Sequence, residues 1–177
     1  MAADSGIKKI IILGAGSHGQ EVLNIANDIN CQSNQYEILG FLDDDKNKFQ
    51  KEFNGTPVMG ALNSLSDFPD TYLVTALQNI NNFWKSEKII KDVFWDAERF
   101  INLIHPSASI SPQCQLGVNC VIFPQVTIGV NVRIGNHVNI LPNSVINHDS
   151  YIGDYCILAS GVCVSGRVSL GNQCYLG

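Results

Sequence analysis

The chain has 177 residues, 11 basic against 16 acidic, with 45% hydrophobic residues and no run of lysine or arginine. That is an ordinary globular composition with a mildly acidic balance, so nothing in it attracts nucleic acid or an anionic membrane. The apolar run Ile10–Leu13 is far too short to span a bilayer and no signal-peptide pattern opens the chain, which makes the cytoplasm the expected compartment.

Met1–Gly6 reads as a loose terminus, and Ile10–Leu13 as a short strand buried on both faces. It runs into Gly14-Ala15-Gly16-Ser17-His18-Gly19, a literal GxGxxG, and then into a helix over about Gln20–Asp28 with Val22, Leu23, Ile25 and Ala26 on one face. A glycine loop that opens a helix offers unpaired N–H groups to an anion, so a phosphate is the natural ligand there. His18, inside the loop, could reach that phosphate or a neighbouring subunit's site, while tight helix–strand packing is the alternative use of the glycines.

A second strand, Tyr36–Leu42, ends in Asp43-Asp44-Asp45. Its distance along the chain from Gly19 is close to that at which dinucleotide folds place the carboxylate that holds a ribose or base; a solvated loop or a cap is the other reading of Asp43 and Asp44. Residues 46–57 read as a loop, Val58–Gly60 as the start of a further strand, and Tyr72–Ala76 as a third parallel strand. Leu77-Gln78-Asn79 then turns at the carboxyl end of the sheet, where α/β folds bind ligands. A helix over about Asn82–Val93 carries Phe83, Trp84, Ile89, Ile90 and Val93 as a core-packing stripe. Residues 1–100 thus have room for one mononucleotide-binding half of a doubly wound fold, which favours a single nucleotide such as a nucleoside diphosphate over NAD.

Phe100–Leu103 link this α/β domain to residues 101–177, where a period of six takes over. From Ile104 to Leu176 every sixth residue is Ile, Leu or Val without exception, and four residues after each anchor through Leu170 sits Ala, Cys, Val or Ser. No helix or simple alternating strand has that period; it is a stacked parallel β-solenoid. Gly117, Gly135, Gly153 and Gly171 recur in every third hexapeptide, so three hexapeptides make one triangular coil and the stretch from Ile104 to Tyr175 makes four. The chain stops at Gly177 without the polar cap an open solenoid end needs, so a partial chain is expected. Only Arg133, Asp149, Asp154 and Arg167 are charged from Ile104 onward, and such neutral outer faces fit an oligomer contact.

Cys114, Cys120, Cys156 and Cys174 fall on the small inward column and read as reduced core residues; no cysteine pair has CxxC spacing, and no zinc or other metal site is expected. His148-Asp149 occupies a corner with both side chains facing out, where the carboxylate can orient the ring and raise its basicity for a general base. His137 is at a similar corner but not in the same column, and no third histidine completes a metal triad. His105, beside Pro106, reads as structural.

The GxGxxG loop with His18, the Asp43-Asp44 pair, the phrase Asn102-Leu103-Ile104-His105-Pro106-Ser107-Ala108-Ser109-Ile110 and His148-Asp149 within hexapeptides together resemble the sugar O/N-acyltransferases of the bacterial sialic acid and bacillosamine pathways. The pattern is most similar to acetyl-CoA-dependent N-acetyltransferases acting on UDP-4-amino-4,6-dideoxy sugars in surface glycan biosynthesis. The resemblance implies a left-handed parallel β-helix assembled as a homotrimer with active sites between subunits. It implies that the sugar nucleotide is held by Gly16, Ser17, His18, Asp43 and Asp44, with Gln78 in the strand-end turn. It further implies that acetyl-CoA lies along the β-helix near Ile157 and Gly166, that His148 takes the amine proton with Asp149 behind it, and that the Gly166 N–H stabilises the oxyanion. Two departures stand out: Ile157 replaces a histidine that meets acetyl-CoA in many members, and Gln78-Asn79 replaces a frequent Gly-Asn pair. O-acetylation of a sialic acid or similar hydroxyl, and a catalytically silent nucleotide-sugar-binding trimer, are the alternative functions.

Overall fold

A computed structural model describes residues 6–93 and 97–177. The terminus expected to be loose lies, up to Ser5, outside the described residues. The first half has β1 (Lys8–Leu13), α1 (Ser17–Ser33), β2 (Tyr36–Leu42), β3 (Glu52–Phe53), β4 (Thr56–Gly60), β5 (Tyr72–Thr75) and α2 (Ser86–Val93). The sheet order is β3-β4-β2-β1-β5, parallel except for β3, which pairs antiparallel with β4. Ile10–Leu13 of β1 are at most 1% exposed, as expected for a strand covered on both faces. Because β2 lies on one side of β1 and β5 on the other, the strand order reverses between β1 and β5. Their carboxyl ends open the crevice in which such sheets bind ligands.

Two expectations need correction. The stretch 46–57 is not all loop but contains β3 and the start of β4, a hairpin turned by Asn54 and Gly55 at φ 49° and 75°. The helix expected from Asn82 begins only at Ser86, after a 3₁₀ turn over Phe83–Lys85. Asn82 explains the delay, since its side chain accepts from the Asn79 N–H (2.7 Å) and donates to the Leu77 carbonyl (2.8 Å), competing with helical bonding. Trp84 is therefore 53% exposed instead of core; Ile90 is buried, and the Val93 side chain lies outside the described residues.

From Leu103 the chain forms thirteen two-residue strands in three parallel sheets of four, four and five strands, each strand pairing with its counterpart in the next coil. This is the expected parallel β-helix. In the middle coils both inner columns are sealed: Ile128, Ile140, Val126 and Val138 are at most 2% exposed. At the first coil's end the anchor Ile104 is 37% exposed, because its strand is the last of its sheet. Small polar residues of the inner column spend their hydrogen on the coil wall: Ser144 and Ser150 donate to the carbonyls of Ala159 and Ser165, and the Cys120 and Cys156 thiols to those of Gly135 and Gly171. Burial pushes the Cys120 thiol up to about 12, and all six cysteines are free.

The corners follow two rules. Every sixth residue from Asn119 to Gln173 has a positive φ, and all but Gly161 are non-glycine; four of the ten are Asn or Asp, the L residues that best tolerate this region. The glycines that recur once per coil serve a different purpose. A Cβ on Gly117 would come within 2.6 Å of the Gly135 carbonyl oxygen, and one on Gly153 within 2.7 Å of that of Gly171. The space left admits the next residue of the following coil, whose side chain caps a backbone N–H: Asn136 for Val118 (3.0 Å), Asp154 for Asn136 (2.7 Å), Asn172 for Asp154 (2.9 Å).

The first half covers the five-strand face of the coil and its adjoining corner. Asn119 accepts from the Thr75 N–H (2.9 Å), and the His137 ring lies between Phe100 (4.9 Å) and a stacked Tyr155 (5.0 Å). His137 thus faces out of the prism, yet into the first half. Among the described residues no helix is long and apolar enough to cross a membrane.

Candidate active site

Two groups of side chains carry chemistry, and they lie on opposite sides of the coil. The first lines a cleft of about 440 Å³ between the two halves. Gly16, Ser17, His18 and Glu21 form one wall, Ala76, Gln78, Asn79 and Ile80 a second, and Asn139, Leu141, Ile157 and Tyr175 the coil side. The three motif glycines have distinct roles. Gly14 takes φ 103° beside the Ala76 carbonyl, and a Cβ on Gly19 would collide with the Gly14 carbonyl, so both have packing reasons. Gly16 has open space around it and lines the cleft.

Gly16 is also the N-cap of α1, which has no side-chain cap and no acidic residue in its first turn. The N–H groups that start the helix are thus left for an anion, at the positive end of a 17-residue helix. His18 stacks on Phe123 of the coil (5.8 Å, 13°), sets Nδ1 3.6 Å from Glu21, and buries Nε2 without a partner among the described residues.

Asp43 and Asp44 do not line this cleft. Asp43 accepts from the Ala15 N–H (2.7 Å), Lys48 Nζ (2.8 Å) and the Asp45 N–H (2.9 Å). Burial raises its pKa, but these three donors outweigh burial and hold the carboxyl below its usual value. Asp44 accepts from the Leu62 N–H (2.9 Å) at the start of a 3₁₀ turn. Backbone N–H groups thus hold both carboxylates, with Lys48 also on Asp43.

Gln78 does line the cleft and is 2% exposed. Its Oε1 accepts from Nδ2 of Asn139 (2.6 Å), itself 2% exposed, while Gln78 Nε2 and Asn139 Oδ1 are buried without partners among the described residues. Ile157 lies in the same cleft, on the strand next to that of Asn139. Asn139, Phe123 and Tyr175 were not anticipated. One signal was available for Asn139: it interrupts the otherwise large outward column Val121, Ile157, Tyr175 with an amide.

The second group is His148-Asp149. Asp149 sits at a left-handed corner (φ 59°) and its Oδ2 is 2.9 Å from His148 Nδ1; Asn131 donates to its other oxygen at 3.0 Å, and Arg167 Nε is 3.9 Å away. The hydrogen bonds from His148 and Asn131 hold the Asp149 carboxyl below its ordinary value. A carboxylate at Nδ1 calls for the proton there, which leaves Nε2 with its lone pair outward. Gly166 lies against that edge of the ring: a Cβ on it would come within 2.7 Å of His148 Cε1 and Nε2. Both side chains are about half exposed, 52% and 41%.

Within one chain these two groups do not meet. Asn139, Ile157 and Tyr175 lie on the five-strand sheet, whereas His148 and Asp149 form the corner between the two four-strand sheets. In a three-sided coil that corner is opposite the face carrying the cleft. His105 is held away from both, with Nε2 3.2 Å from Asp28 and Nδ1 accepting from the Ser107 N–H (3.0 Å).

Residues 9–82 match the PglD N-terminal domain, and residues 101–177 the GMPPB C-terminal domain. The chain is 29% identical over 170 residues to GDP-perosamine N-acetyltransferase of Escherichia coli O157:H7, covering 94% of this chain and 74% of that one. Among solved structures it is similar to a variant of GDP-perosamine N-acetyltransferase from Caulobacter crescentus in complex with CoA and GDP-perosamine. The identity is 24%, with 96% of this chain and 77% of that chain covered and a TM-score of 0.79. It is also similar to the acetyltransferase domain of PglB from Neisseria gonorrhoeae in complex with acetyl coenzyme A, at 22% identity, 96% and 88% coverage and a TM-score of 0.74. These likenesses span both halves of the chain.

Proposed function

The chain belongs to the bacterial sugar acyltransferase family, and on that premise we propose that it moves the acetyl group of acetyl-CoA onto the amino group of a nucleotide-linked sugar. The observation that carries this reading is the outward His148-Asp149 pair at 2.9 Å, with the Nε2 edge of the ring against Gly166. The sugar's neutral amine attacks the thioester carbonyl carbon, and its proton passes to His148 Nε2. The C–N bond forms, the C–S bond breaks, and the CoA thiolate leaves with the proton that the imidazolium returns. Asp149 keeps the ring oriented, and the corner N–H of Gly166 supports the oxyanion. The uncapped start of α1 beside Gly16 takes the diphosphate. The catalytic unit in this reading is a trimer whose subunits share each site.

The nucleobase is where the relatives and the sequence reading part: the resemblance implies UDP, whereas two of the similar proteins are GDP-perosamine enzymes. A thiol-release assay over GDP- and UDP-linked 4-amino-4,6-dideoxyhexoses, with sialic acid as a hydroxyl acceptor, covers both bases and both acceptor classes. Amino sugars are expected to turn over and sialic acid not to. His148→Ala is expected to lower kcat by about a hundred- to ten-thousandfold with an unchanged melting temperature. Undiminished turnover in that variant would remove the proposed base, and no thiol release with any acceptor would leave a binding protein.

A further inference from the structure

The floor of the cleft holds two amides, Gln78 and Asn139, each 2% exposed and far apart in sequence, joined by a single 2.6 Å hydrogen bond. Each amide has one donating and one accepting end, so one bond leaves one NH2 group and one carbonyl oxygen wholly unpaired. Gln78 Nε2 and Asn139 Oδ1 are these leftovers, buried and without a partner among the described residues. Turning both amides round exchanges which residue donates but leaves the same pair, and turning only one would set like atoms against each other. Buried polar groups without partners cost stability in the free protein, so a pair kept at that cost calls for a reason such as a ligand that satisfies it.

We propose that Gln78 and Asn139 form a subsite that reads a neutral donor–acceptor group of the nucleotide sugar, a ring hydroxyl or the lactam edge of the base, and not its phosphates. A phosphate only accepts, and it would bring its charge against the spare carbonyl oxygen. Its place is the start of α1, in the same cleft. A hydroxyl or a lactam satisfies both leftovers at once, after the soft terminal torsions of the two amides turn them into the cleft. The subsite thereby acts as a discriminator: a ligand lacking the group leaves two buried atoms unpaired, which such a site rejects far more strongly than a missing apolar contact. This inference rests on the reading of the cleft as the nucleotide-sugar site.

Calorimetry on the purified full chain tests it, with inorganic pyrophosphate, UDP, GDP, UDP-glucose and GDP-mannose as probes. Gln78→Met and Asn139→Leu are each expected to leave pyrophosphate binding unchanged and to weaken nucleotide or nucleotide-sugar binding about tenfold. A loss confined to the nucleotide sugars assigns the subsite to sugar hydroxyls; a loss already present with UDP or GDP assigns it to the nucleoside. The double variant no longer buries an unpaired group, so without ligand it is expected to melt at or above the parent's temperature while binding more weakly. Unchanged affinity for every probe, an equal loss for pyrophosphate, or a double variant that melts lower would overturn the proposal while leaving the nucleotide site standing. A parent chain that binds none of the five probes would overturn the nucleotide reading and the subsite with it.

Discussion

At the scale of single residues, Gly166 gives the sharpest test of how His148 is held. The backbone at Gly166 is in the ordinary region, so an alanine there is not strained by its own φ. Its Cβ would instead press within 2.7 Å of the reactive edge of the ring, and a half-exposed histidine is free to swing away. Gly166→Ala is therefore expected to lower kcat about tenfold or more with a melting temperature within about 1 °C of the parent's, because it moves a side chain and opens no cavity. Equal kcat in parent and variant would show that the ring does not work in the observed position. The His148-Asp149 pair was legible in the sequence because the repeat fixes which positions point outward, and adjacent residues at a corner need no long-range information. Asp43 was legible only as a position. That its carboxylate ends up on Ala15 and Lys48 depends on how the glycine loop and the 3₁₀ turn at Lys46–Lys48 approach the end of β2.

Among the elements, the corner column that docks against the first half carries a titration with a definite sign. Burial lowers the pKa of His137 from 6.5 to about 4, with nearby Asp154 opposing the shift. The neutral ring accepts at Nδ1 from Asn119 (3.0 Å) and stacks on Tyr155. The folded value lies below the unfolded one, so on acidification the unfolded chain takes the proton first. The stability is present above about pH 6.5 and is lost as the pH falls through about 4, by up to roughly 3 kcal/mol. Asparagine tolerates the φ of 55° at this corner, so His137→Asn is the fitting comparison. Urea unfolding between about pH 7 and pH 4 is expected to show a steeper loss in the parent than in the variant; parallel curves would mean that His137 titrates normally. The sequence predicted the column but not its burial, since a residue that points out of a prism meets either solvent or another element. Likewise the left-handed corners and the Gly-Asx ladder are written in the sequence at the periods of the hexapeptide and of the coil, but only the coil-to-coil distances show that the ladder glycines make room for the Asx side chains.

For the whole molecule, the topology makes one chain insufficient in the proposed reaction. The cleft faces out from the five-strand sheet under α1, and His148 is at the opposite corner, so the residues of one subunit cannot close on one substrate. The sheets that flank His148 expose outward residues such as Thr127, Arg133 and Tyr151, leaving those faces open for a neighbour. Neither fact could be read from either half of the sequence alone, because both depend on which face the first half covers. Subunit mixing follows directly. Take His148→Ala as one inactive chain and, as the other, Gly16→Glu, which puts a carboxylate into the cleft where Gly16 has open space. Each alone is expected to be inactive. Unfolded together at equal amounts and refolded, they are expected to recover about a quarter of the parent's activity. With random assembly, about one interface in four pairs an intact His148 with an intact cleft from the other chain. If each site were built within a single chain, no mixed assembly could restore one, and the mixture would stay as inactive as its components.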